Sequence, residues 1–406
     1  MLNHLIRFSL RNRALVIAIS LLVLFLGLRT ATELPVEVLP DMTKPTVTVL
    51  TEAPGLAPEE VETLVTRPLE NALLGIGGLD RLRSNSDVGL SLVFVEFAWG
   101  TDIYKARQLV QERLQAAALP ENTNSGMTPV SSLMGEILLV GLRSTDNSIA
   151  PMDLRTFADW TVARRLQSIK GVAEVLAIGG GVKQIHVEPD PIKMLAEGVS
   201  LEELETAVSL SAGNATSGYL QSGPREIMVR NLAMTADPAD ISAATVKRVG
   251  DRIITIADVA NVKFGVATMR GDAAIAFEGD KTETPGVILS IDKSPGFDTL
   301  KLSADIEKAL EELRPGFPTG VEAEILFRQG DFIENAVGNL KEAIRDGAIM
   351  VTIVLFLFLL NIRTTLITLT AIPLSFAITL ITFKWFGTGV NSMTLGGIAV
   401  AIGMVV

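Results

Sequence analysis

The apolar residues of this chain are most concentrated at its C-terminal end. Residues 348–360, 364–383 and 385–406 contain no ionisable side chain, and the two breaks between them fall at residues 361–363 and at Lys384. A helix needs roughly 20 mostly apolar residues to span a bilayer. The pattern therefore predicts two membrane helices joined by a short hairpin, followed by the beginning of a further one.

A second apolar stretch, Ala14–Leu28, lies near the N-terminus and follows Arg7, Arg11 and Arg13. A basic start before an apolar core is also typical of a cleaved signal peptide, but no small-x-small cleavage site follows this one. We therefore interpret it as a retained first membrane helix. Because Lys and Arg cluster on the cytoplasmic side of membranes, the N-terminus is predicted to lie inside and residues 29–344 outside.

Between the apolar stretches, the periodicity becomes that of an α+β protein. Alternating runs predict strands and capped amphipathic runs predict helices, in the order strand Thr46–Leu50, helix Pro58–Leu74, strands Leu79–Ser84 and Leu90–Phe97, helix Asp102–Ala118 and strand Ile137–Leu142. This order is that of a split βαβ, ferredoxin-like module.

The pattern then repeats from Ile137–Leu142 onward. The repeated elements are helix Asp153–Ile169, strands Val172–Ile178 and Lys183–Val187, helix Asp298–Leu313 and strand Val321–Leu326. Similarity at an offset of about a hundred residues indicates a duplicated module. Because the last helix and strand come late in the chain, residues 188–284 are predicted to be a domain inserted into the second module.

The insertion opens with a predicted helix, Ser200–Leu210, in which Ser200 and Glu203 have the spacing of a capping box. The polar, glycine-rich stretch Gly213–Pro224 follows it. Composition favours a flexible surface loop there. The alternative is an extended hairpin arm that reaches a neighbouring subunit.

Composition limits the possible functions. The chain has 406 residues, of which 48% are hydrophobic and 20% charged, and its net charge is −11. An acidic chain is a poor partner for nucleic acid, because phosphate binding needs a basic face. It contains no cysteine and two histidines, so disulfides, CxxC chemistry and a histidine metal cluster are excluded within this sequence.

Few residues offer chemistry, and each has an ordinary structural alternative. Met127, Met134 and Met152 flank the junction of the two modules and are either core gap-fillers or soft-metal ligands. Glu136 begins an otherwise apolar strand, where it is either a solvated edge group or a cation ligand lining a cleft. The glycines at 179–181 predict a tight turn rather than a phosphate cradle, because they do not open a helix after a strand.

Two features concern the apolar C-terminal stretch. Pro373 predicts a kink inside its span, which membranes tolerate where neighbouring groups satisfy the freed carbonyl. Gly396, Gly397, Ala399 and Gly403 predict close helix–helix contact.

Longer runs of sequence carry a family resemblance over the whole chain. TDIYKARQLVQERL, GVAEVLAIGGGVKQIHVEPDP, FRQGDFIENAV and NSMTLGGIAVAIGMVV resemble the first half of resistance-nodulation-division (RND) efflux permeases. LDRLRS, SSLMGEI and LFLFLLNIRTTLITLTAIPLS are most similar to the heavy-metal-efflux branch. The resemblance implies an α+β membrane protein with transmembrane helices, periplasmic ferredoxin-like βαββαβ porter modules and an inserted α+β docking domain.

The resemblance also divides the chain. The implied boundaries are 1–30 for the N-terminal segment and first membrane helix, 31–133 for the first porter subdomain, 134–187 and 285–330 for the two parts of the second, 188–284 for the docking (funnel) domain and 331–406 for membrane helices 2, 3 and a truncated 4. A full permease of the family has twelve spans in two repeats. The chain is therefore expected to hold about one third of such a protein.

The implied function is proton-driven export of heavy-metal cations from the bacterial inner (plasma) membrane. The implied assembly is a homotrimer working with a periplasmic adaptor and an outer-membrane channel, without cofactors and without enzymatic activity. Two alternatives stay open at this point. One is an RND exporter of small organic amphiphiles, and the other is a non-transporting, membrane-anchored periplasmic scaffold.

Site residues follow from the resemblance position by position. Glu136 matches a possible metal contact, and Arg83 and Met134 match the substrate path. The stretch marked by Gly213, Tyr219 and Pro224 matches an oligomerisation arm that enters the next protomer, which reverses the preference for a plain loop. The resemblance places no proton relay within this chain and places relay aspartates just after Val406.

Overall fold

The computed structural model describes most of the chain. Its described residues are 2–37, 43–131, 135–146, 148–211, 213, 216–222, 225–230, 235–269, 271–277 and 282–405. Helices α1 (Leu2–Arg11) and α2 (Arg13–Glu33) come first. The predicted N-terminal apolar helix is thus confirmed, and it extends to Glu33. Among the helices of the described part, α2 alone is both long and apolar enough to cross a membrane.

The first α+β unit is a four-stranded antiparallel sheet covered by helices. Its elements are β1 (Thr46–Glu52), α3 (Pro58–Val61), α4 (Arg67–Leu73), β2 (Leu79–Asp87), β3 (Leu90–Phe97), α5 (Ile103–Gln115) and β4 (Asn124–Met127). The strand order is β2-β3-β1-β4. Alternating residues such as Val47, Val49 and Phe97 are fully buried against the helices. The period of two that predicted the strands therefore also determines which face the helices cover.

The fourth strand of this sheet corrects the sequence prediction. It is Asn124–Met127, which pairs with β1, and not Ile137–Leu142. The sequence NSGM is short and polar and lacks an alternating apolar signal. Its place in the sheet depends on backbone pairing with Val49–Glu52, which local pattern does not report.

The second unit begins with β5 (Glu136–Ser144), α6 (Pro151–Phe157), α7 (Arg164–Gln167) and β6 (Val172–Ile178). In both units the first helix passes through a π-helical segment, Glu62–Thr66 in one and Ala158–Ala163 in the other. A π-helical turn is rare, so its recurrence at the same point of both units supports duplication.

The insertion has a hydrophobic core of its own, in which Leu204, Ile254 and Ile256 are buried. Its elements are β7 (Lys183–Pro189), α8 (Pro191–Glu197), α9 (Leu201–Ser211), β8 (Thr216–Ser222), β9 (Arg225–Arg230), α10 (Pro238–Ser242), β10 (Thr245–Val249), β11 (Arg252–Thr255), α11 (Ile256–Val259), β12 (Ala260–Val266) and β13 (Ala274–Ile275). The predicted capping box is confirmed: the backbone N–H of Glu203 donates to the Ser200 hydroxyl, and that of Ser200 donates to the Glu203 carboxylate.

One prediction for this region is wrong, and one agrees with the strand pairing. The strand at Lys183–Val187 pairs with β12 instead of joining the second sheet. Gly179, Gly180 and Gly181 all have positive φ, between 64° and 89°, and they redirect the chain immediately before it. The hairpin that the family resemblance implies near Gly213–Pro224 is present, because β8 pairs with β9 in antiparallel register. Its role as an oligomerisation arm stays a prediction.

The second unit is completed by β14 (Thr284–Lys293), α12 (Thr299–Leu313) and β15 (Val321–Arg328). Pattern reading of the sequence missed β14, although its Val287, Leu289 and Ile291 are fully buried. It lies between β6 and β5, so the strand order β6-β14-β5-β15 repeats the order of the first sheet. Strand β13 adds a short pairing at the beginning of β14.

The chain ends in four helices. They are α13 (Gln329–Leu359), α14 (Ile362–Leu369), α15 (Ala371–Phe386) and α16 (Ser392–Val405). The third predicted span is therefore two helices that meet at Thr370. A proline obstructs the carbonyl four residues before it, and for Pro373 this is Leu369, the last residue of α14. The predicted kink is thus confirmed.

Close helix packing occurs elsewhere than the glycine pattern predicted. A Cβ placed on Gly27 of α2 would lie 2.4 Å from the Cβ of Ala377 in α15, so only glycine permits this crossing. Gly396 and Gly397 of α16 have open space where a Cβ would be. Small residues therefore mark the contact between α2 and α15 in the described structure.

Candidate functional site

Three carboxylates lie side by side on neighbouring strands near one end of the second sheet. The strand register pairs Asp292 of β14 with Glu136 of β5 on one side and with Glu174 of β6 on the other. Glu136, predicted from sequence as a cation contact, is thus one member of a row of three. We call Glu136, Asp292 and Glu174 the acidic row.

The acidic row occupies the face of the sheet that the helices do not cover. Leu289 and Ile291 of β14 are in the core under the helices, so the alternating Ser290 and Asp292 point to the other face. The hydroxyl of Ser290 donates to Glu136 Oε2 at 2.9 Å, which places Glu136 on that face too. Glu136 is exposed and Asp292 and Glu174 are half-buried, so the row is partly open to solvent.

Burial and like charge act together on these groups. Partial burial raises the pKa of Asp292, and the neighbouring Glu136 charge raises it further. Burial likewise raises the pKa of Glu174, with a smaller contribution from Asp292. Within the described part of the chain, no basic side chain forms a salt bridge with any of the three. The row thus concentrates negative charge that a cation would relieve.

The row is not a preformed metal cage. In the described residues, no group of three or more His, Cys, Asp or Glu side chains is close enough to hold a metal ion. Carboxylates in register on neighbouring strands present oxygens along a surface, and such oxygens suit hard and borderline cations. The arrangement therefore offers individual oxygen contacts to a cation rather than a closed set of ligands.

Arg83 belongs to a separate group on the first sheet. Its Nη2 and Nε bind Glu96 Oε1 at 2.7 and 2.8 Å. Lys44 Nζ lies 4.0 Å from Glu96 Oε2 and also pairs with Asp80. The guanidinium stands over the Phe94 ring, 5.3 Å from its centroid. Arg83 is thus held by its own sheet, and its recorded partners do not include Glu136.

The other predicted site residues have mixed outcomes. Met127 pairs with Val49 and packs against the first core, which matches the gap-filler alternative. Tyr219 lies on β8 opposite Met228, and Gly213 is exposed before the hairpin. Met134 and Pro224 lie outside the described residues.

Sequence reasoning missed a polar junction where α2 meets the second unit. Lys293 is 6% exposed, and its Nζ donates to Glu37 Oε1 at 2.5 Å and to Thr299 Oγ1 at 2.8 Å. The Thr299 hydroxyl in turn donates to Glu37 Oε2 at 3.0 Å. We call Glu37, Lys293 and Thr299 the junction triad. Glu37 and Lys293 are 256 residues apart, so no local pattern predicts their pairing.

The segment that carries Glu37 also joins the C-terminal helices. Val36 forms a parallel bridge with Val390, in the loop between α15 and α16. The backbone N–H of Val390 donates to the Pro35 carbonyl at 3.0 Å, and that of Glu37 donates to the Val390 carbonyl at 3.0 Å. Leu34 shares a small core with Leu380 and Leu395. Residues 34–37 therefore hold α2, the α15–α16 loop and the second unit together.

The sequence of this chain matches a known protein family. The family model described as "AcrB/AcrD/AcrF family" matches residues 5–406. Protein HelA of Legionella pneumophila is 33% identical over 98% of this chain and 38% of its own length. The cation efflux system protein CusA of Escherichia coli strain K12 is 33% identical over 100% of this chain and 39% of its own.

Two further similar proteins have names that refer to metal resistance or heavy metal efflux. The cobalt-zinc-cadmium resistance protein CzcA of Cupriavidus metallidurans is 32% identical over 98% of this chain and 38% of its own length. An X-ray crystal structure of a heavy metal efflux pump superposes with a TM-score of 0.86 at 27% identity, covering 97% of this chain and 39% of that one. The chain thus spans about 38% of the length of the relatives that it matches.

Proposed function

The chain belongs to the AcrB/AcrD/AcrF family, and from that premise we propose that it is part of a proton-driven inner-membrane permease that exports heavy-metal cations. Curated relatives named as cation efflux or metal resistance proteins support the substrate class. The observation in this chain that carries the proposal is the acidic row of Glu136, Asp292 and Glu174. It offers a metal cation unpaired negative charge on an open sheet face.

A transport path needs contacts of this kind. Binding must be favourable enough for an ion to enter and weak enough for it to leave. A closed cage of ligands would retain the ion, whereas a row of half-exposed carboxylates on three neighbouring strands lets it move from one to the next. Oxygen ligands suit borderline divalent cations better than soft monovalent ones, which prefer sulfur. We therefore assign the row to divalent cations such as zinc or cobalt.

The proposed membrane arrangement has several spans. Helix α2 crosses first, with Arg7, Arg11 and Arg13 on the cytoplasmic side. The two sheet units and the insertion then lie in the periplasm as porter and docking domains, with the boundaries predicted above. The apolar half of α13, the kinked pair α14–α15 and α16 form the further spans. The proton relay expected after Val406 stays a prediction.

The proposed assembly is a homotrimer that works with a periplasmic adaptor and an outer-membrane channel. The β8–β9 hairpin supports this, because a two-stranded ribbon alone is marginally stable in water. Insertion into a neighbouring protomer would bury such a ribbon against a second chain. Gly213, Tyr219 and Pro224 mark this proposed arm.

The substrate assignment is tested in a strain that lacks its own exporters and expresses the whole permease gene. Glu136→Gln and Asp292→Asn should each lower zinc or cobalt export at limiting metal on the order of ten-fold, which corresponds to about 1.4 kcal/mol of lost interaction. Protein level is measured in parallel. The matched control is Glu202→Gln, which removes an exposed carboxylate of α9 in the insertion.

Three outcomes of this experiment distinguish the substrate classes. Loss of zinc or cobalt export with Glu202→Gln unaffected supports the proposal. Loss of silver or copper(I) export alone would contradict the divalent assignment. Resistance to dyes and detergents, with no metal phenotype, would move the protein to export of organic amphiphiles.

A further inference from the structure

The short helix α1 is strongly two-sided. At 100° per residue, its positions divide into an apolar arc and an opposite polar arc. The apolar arc holds positions 2, 5, 6, 8, 9 and 10, occupied by Leu, Leu, Ile, Phe, Ser and Leu, and the polar arc holds positions 3, 4, 7 and 11, occupied by Asn, His, Arg and Arg. Such a division predicts a helix that lies between an apolar and an aqueous phase.

The position of α1 along the chain places it at a membrane boundary. Helix α2 has 21 residues and so measures about 31 Å, which matches the roughly 30 Å hydrocarbon core by itself. The residue between the helices, Asn12, leaves helical geometry at φ −115° and ψ 45°. Its side-chain amide and its backbone N–H both donate to the Phe8 carbonyl, at 3.2 and 2.9 Å. Helix α1 therefore ends where the membrane core begins.

The chain itself does not cover the exposed end of α1. Phe8 and Leu10 are 55% and 75% exposed, and neither belongs to a hydrophobic core of the described structure. Arg7, Arg11 and Arg13 are exposed as well, and none forms a salt bridge within the described residues. No Asp or Glu precedes Glu33 in the sequence. An apolar arc beside unpaired positive charge complements an anionic lipid surface.

We infer that α1 lies in the plane of the inner membrane surface and binds anionic lipid headgroups. Its apolar arc enters the boundary between headgroups and acyl chains, and Arg7 and Arg11 contact lipid phosphates. The inference needs only that α2 crosses the bilayer, so it stands independently of metal export. Anchoring α1 would restrict the depth and rotation of α2, which packs closely against Ala377 of α15 at Gly27.

Spin labelling of the full-length protein in vesicles tests the inference. Because the chain has no cysteine, single cysteines can be introduced at Leu5 and Ser9 on the apolar arc and at Asn3 and Arg7 on the polar arc. Collision with oxygen reports immersion in lipid, and collision with a water-soluble nickel chelate reports exposure to water. Labels at Leu21 of α2 and at Asp251 of the exposed β10–β11 turn serve as membrane and aqueous references.

In vesicles with 30% phosphatidylglycerol, the labels at 5 and 9 should be oxygen-accessible and those at 3 and 7 nickel-accessible. Nickel accessibility like that of Asp251 at all four positions would overturn the inference, because α1 would then be free in water. Low accessibility to both reagents with dipolar broadening between labels would also overturn it, because a second copy of the chain would then cover the arc.

The charge contribution is tested with the label at position 9. An arginine near an anionic surface contributes about a five-fold preference for the bound state. The pair Arg7→Gln/Arg11→Gln should thus lower the ratio of surface-bound to free α1 about 25-fold, whereas Arg7→Lys/Arg11→Lys should keep it. Arg13 is retained to preserve insertion. An unchanged ratio in the glutamine pair would show that anionic headgroups play no part.

Discussion

At the scale of single residues, the chemistry of the second sheet centres on Asp292. Two other carboxylates flank it in strand register, and partial burial removes part of its hydration. Both effects disfavour its charged form, so the pKa of Asp292 is raised. A raised carboxyl pKa means that the folded state binds a proton more tightly than the unfolded chain does. The acidic row therefore lowers stability at neutral pH, and this is the expected cost of a cation-attracting surface.

The first prediction concerns the pH dependence of stability. Asp292→Asn should unfold at a higher temperature than the wild type at pH 7, because it removes one of three crowded charges. The difference should disappear as the pH falls below the ordinary Asp pKa of 3.8, where the carboxyl is protonated in both folded and unfolded states. Thermal unfolding in detergent at a series of pH values measures it.

Asp305→Asn is the control for this experiment. Asp305 is an exposed carboxylate on α12, and its replacement should leave the midpoint difference small at every pH. A lower stability of Asp292→Asn than of the wild type at pH 7 would contradict the claim that crowded charges in the row destabilise the folded state.

At the scale of elements, two connections link the second unit to the helical part of the chain. One is the segment 34–37, held by the junction triad of Glu37, Lys293 and Thr299 and by the bridge to Val390. The other is α13, whose 31 residues run without interruption from the end of β15 into apolar sequence. Arg328 holds its beginning by binding Glu307 at 2.6 Å and Asp331 at 2.7 Å. A movement of the second unit must therefore pass into α2 and α13.

The second prediction concerns the junction triad. Lys293→Met leaves Glu37 without its cation, and breaking a buried pair from one side costs roughly 3–5 kcal/mol. We expect a cost at the lower end of this range, because the Glu37 side chain is 26% exposed. The double variant Lys293→Met/Glu37→Leu should recover part of the loss, since replacing both partners by apolar groups leaves no buried charge.

Chemical unfolding of both variants and of Glu37→Leu completes a double-mutant cycle. Transport assays on the same proteins should show a lower rate for Lys293→Met, because the junction links α2 to the second unit. Metal affinity is measured alongside, since Lys293 directly follows Asp292 of the acidic row. A cycle with no coupling between Glu37 and Lys293 would contradict the role of the junction.

At the scale of the whole molecule, two sheet units with the same strand order stand between α2 and the C-terminal helices. The second unit accommodates an insertion with its own core because the chain leaves after β6 and returns before β14. Both ends of the α+β region thus connect to apolar helices, at Glu33 and at Gln329. In the proposed orientation the basic residues before α2 are inside the cell, and this would place the α+β region outside.

The last prediction tests this topology. A cysteine at Asp251, in the exposed turn of the insertion, should react with a membrane-impermeant thiol reagent in intact spheroplasts. A cysteine at Ile362, which is 65% exposed at the beginning of α14, should react only after permeabilisation. The cysteine-free parent gives the background. The reverse labelling pattern would invert the proposed orientation.

Much of this architecture follows from local pattern. Alternation in TVTVL predicts a strand, and the Ser200–Glu203 spacing predicts a helix start that the hydrogen bonds confirm. Local sequence pattern does not predict an element correctly when its pairing partner is distant in sequence. The polar NSGM segment forms a strand only because its backbone pairs with β1. The strand at Lys183 pairs with β12, after three glycines of positive φ have changed the direction of the chain.

The candidate site divides in the same way. Sequence by itself determined the class of protein and the apolar helices, because residue type and spacing encode burial and local hydrogen bonding. It also singled out Glu136, whose role stays a prediction. Only the tertiary structure decided that Glu136 shares its face with Asp292 and Glu174, that Arg83 is held by Glu96, and that Lys293 meets Glu37. These groups are brought together by strand register and by chain closure over long separations. The energy of those contacts depends on folded geometry that no local stretch of sequence contains.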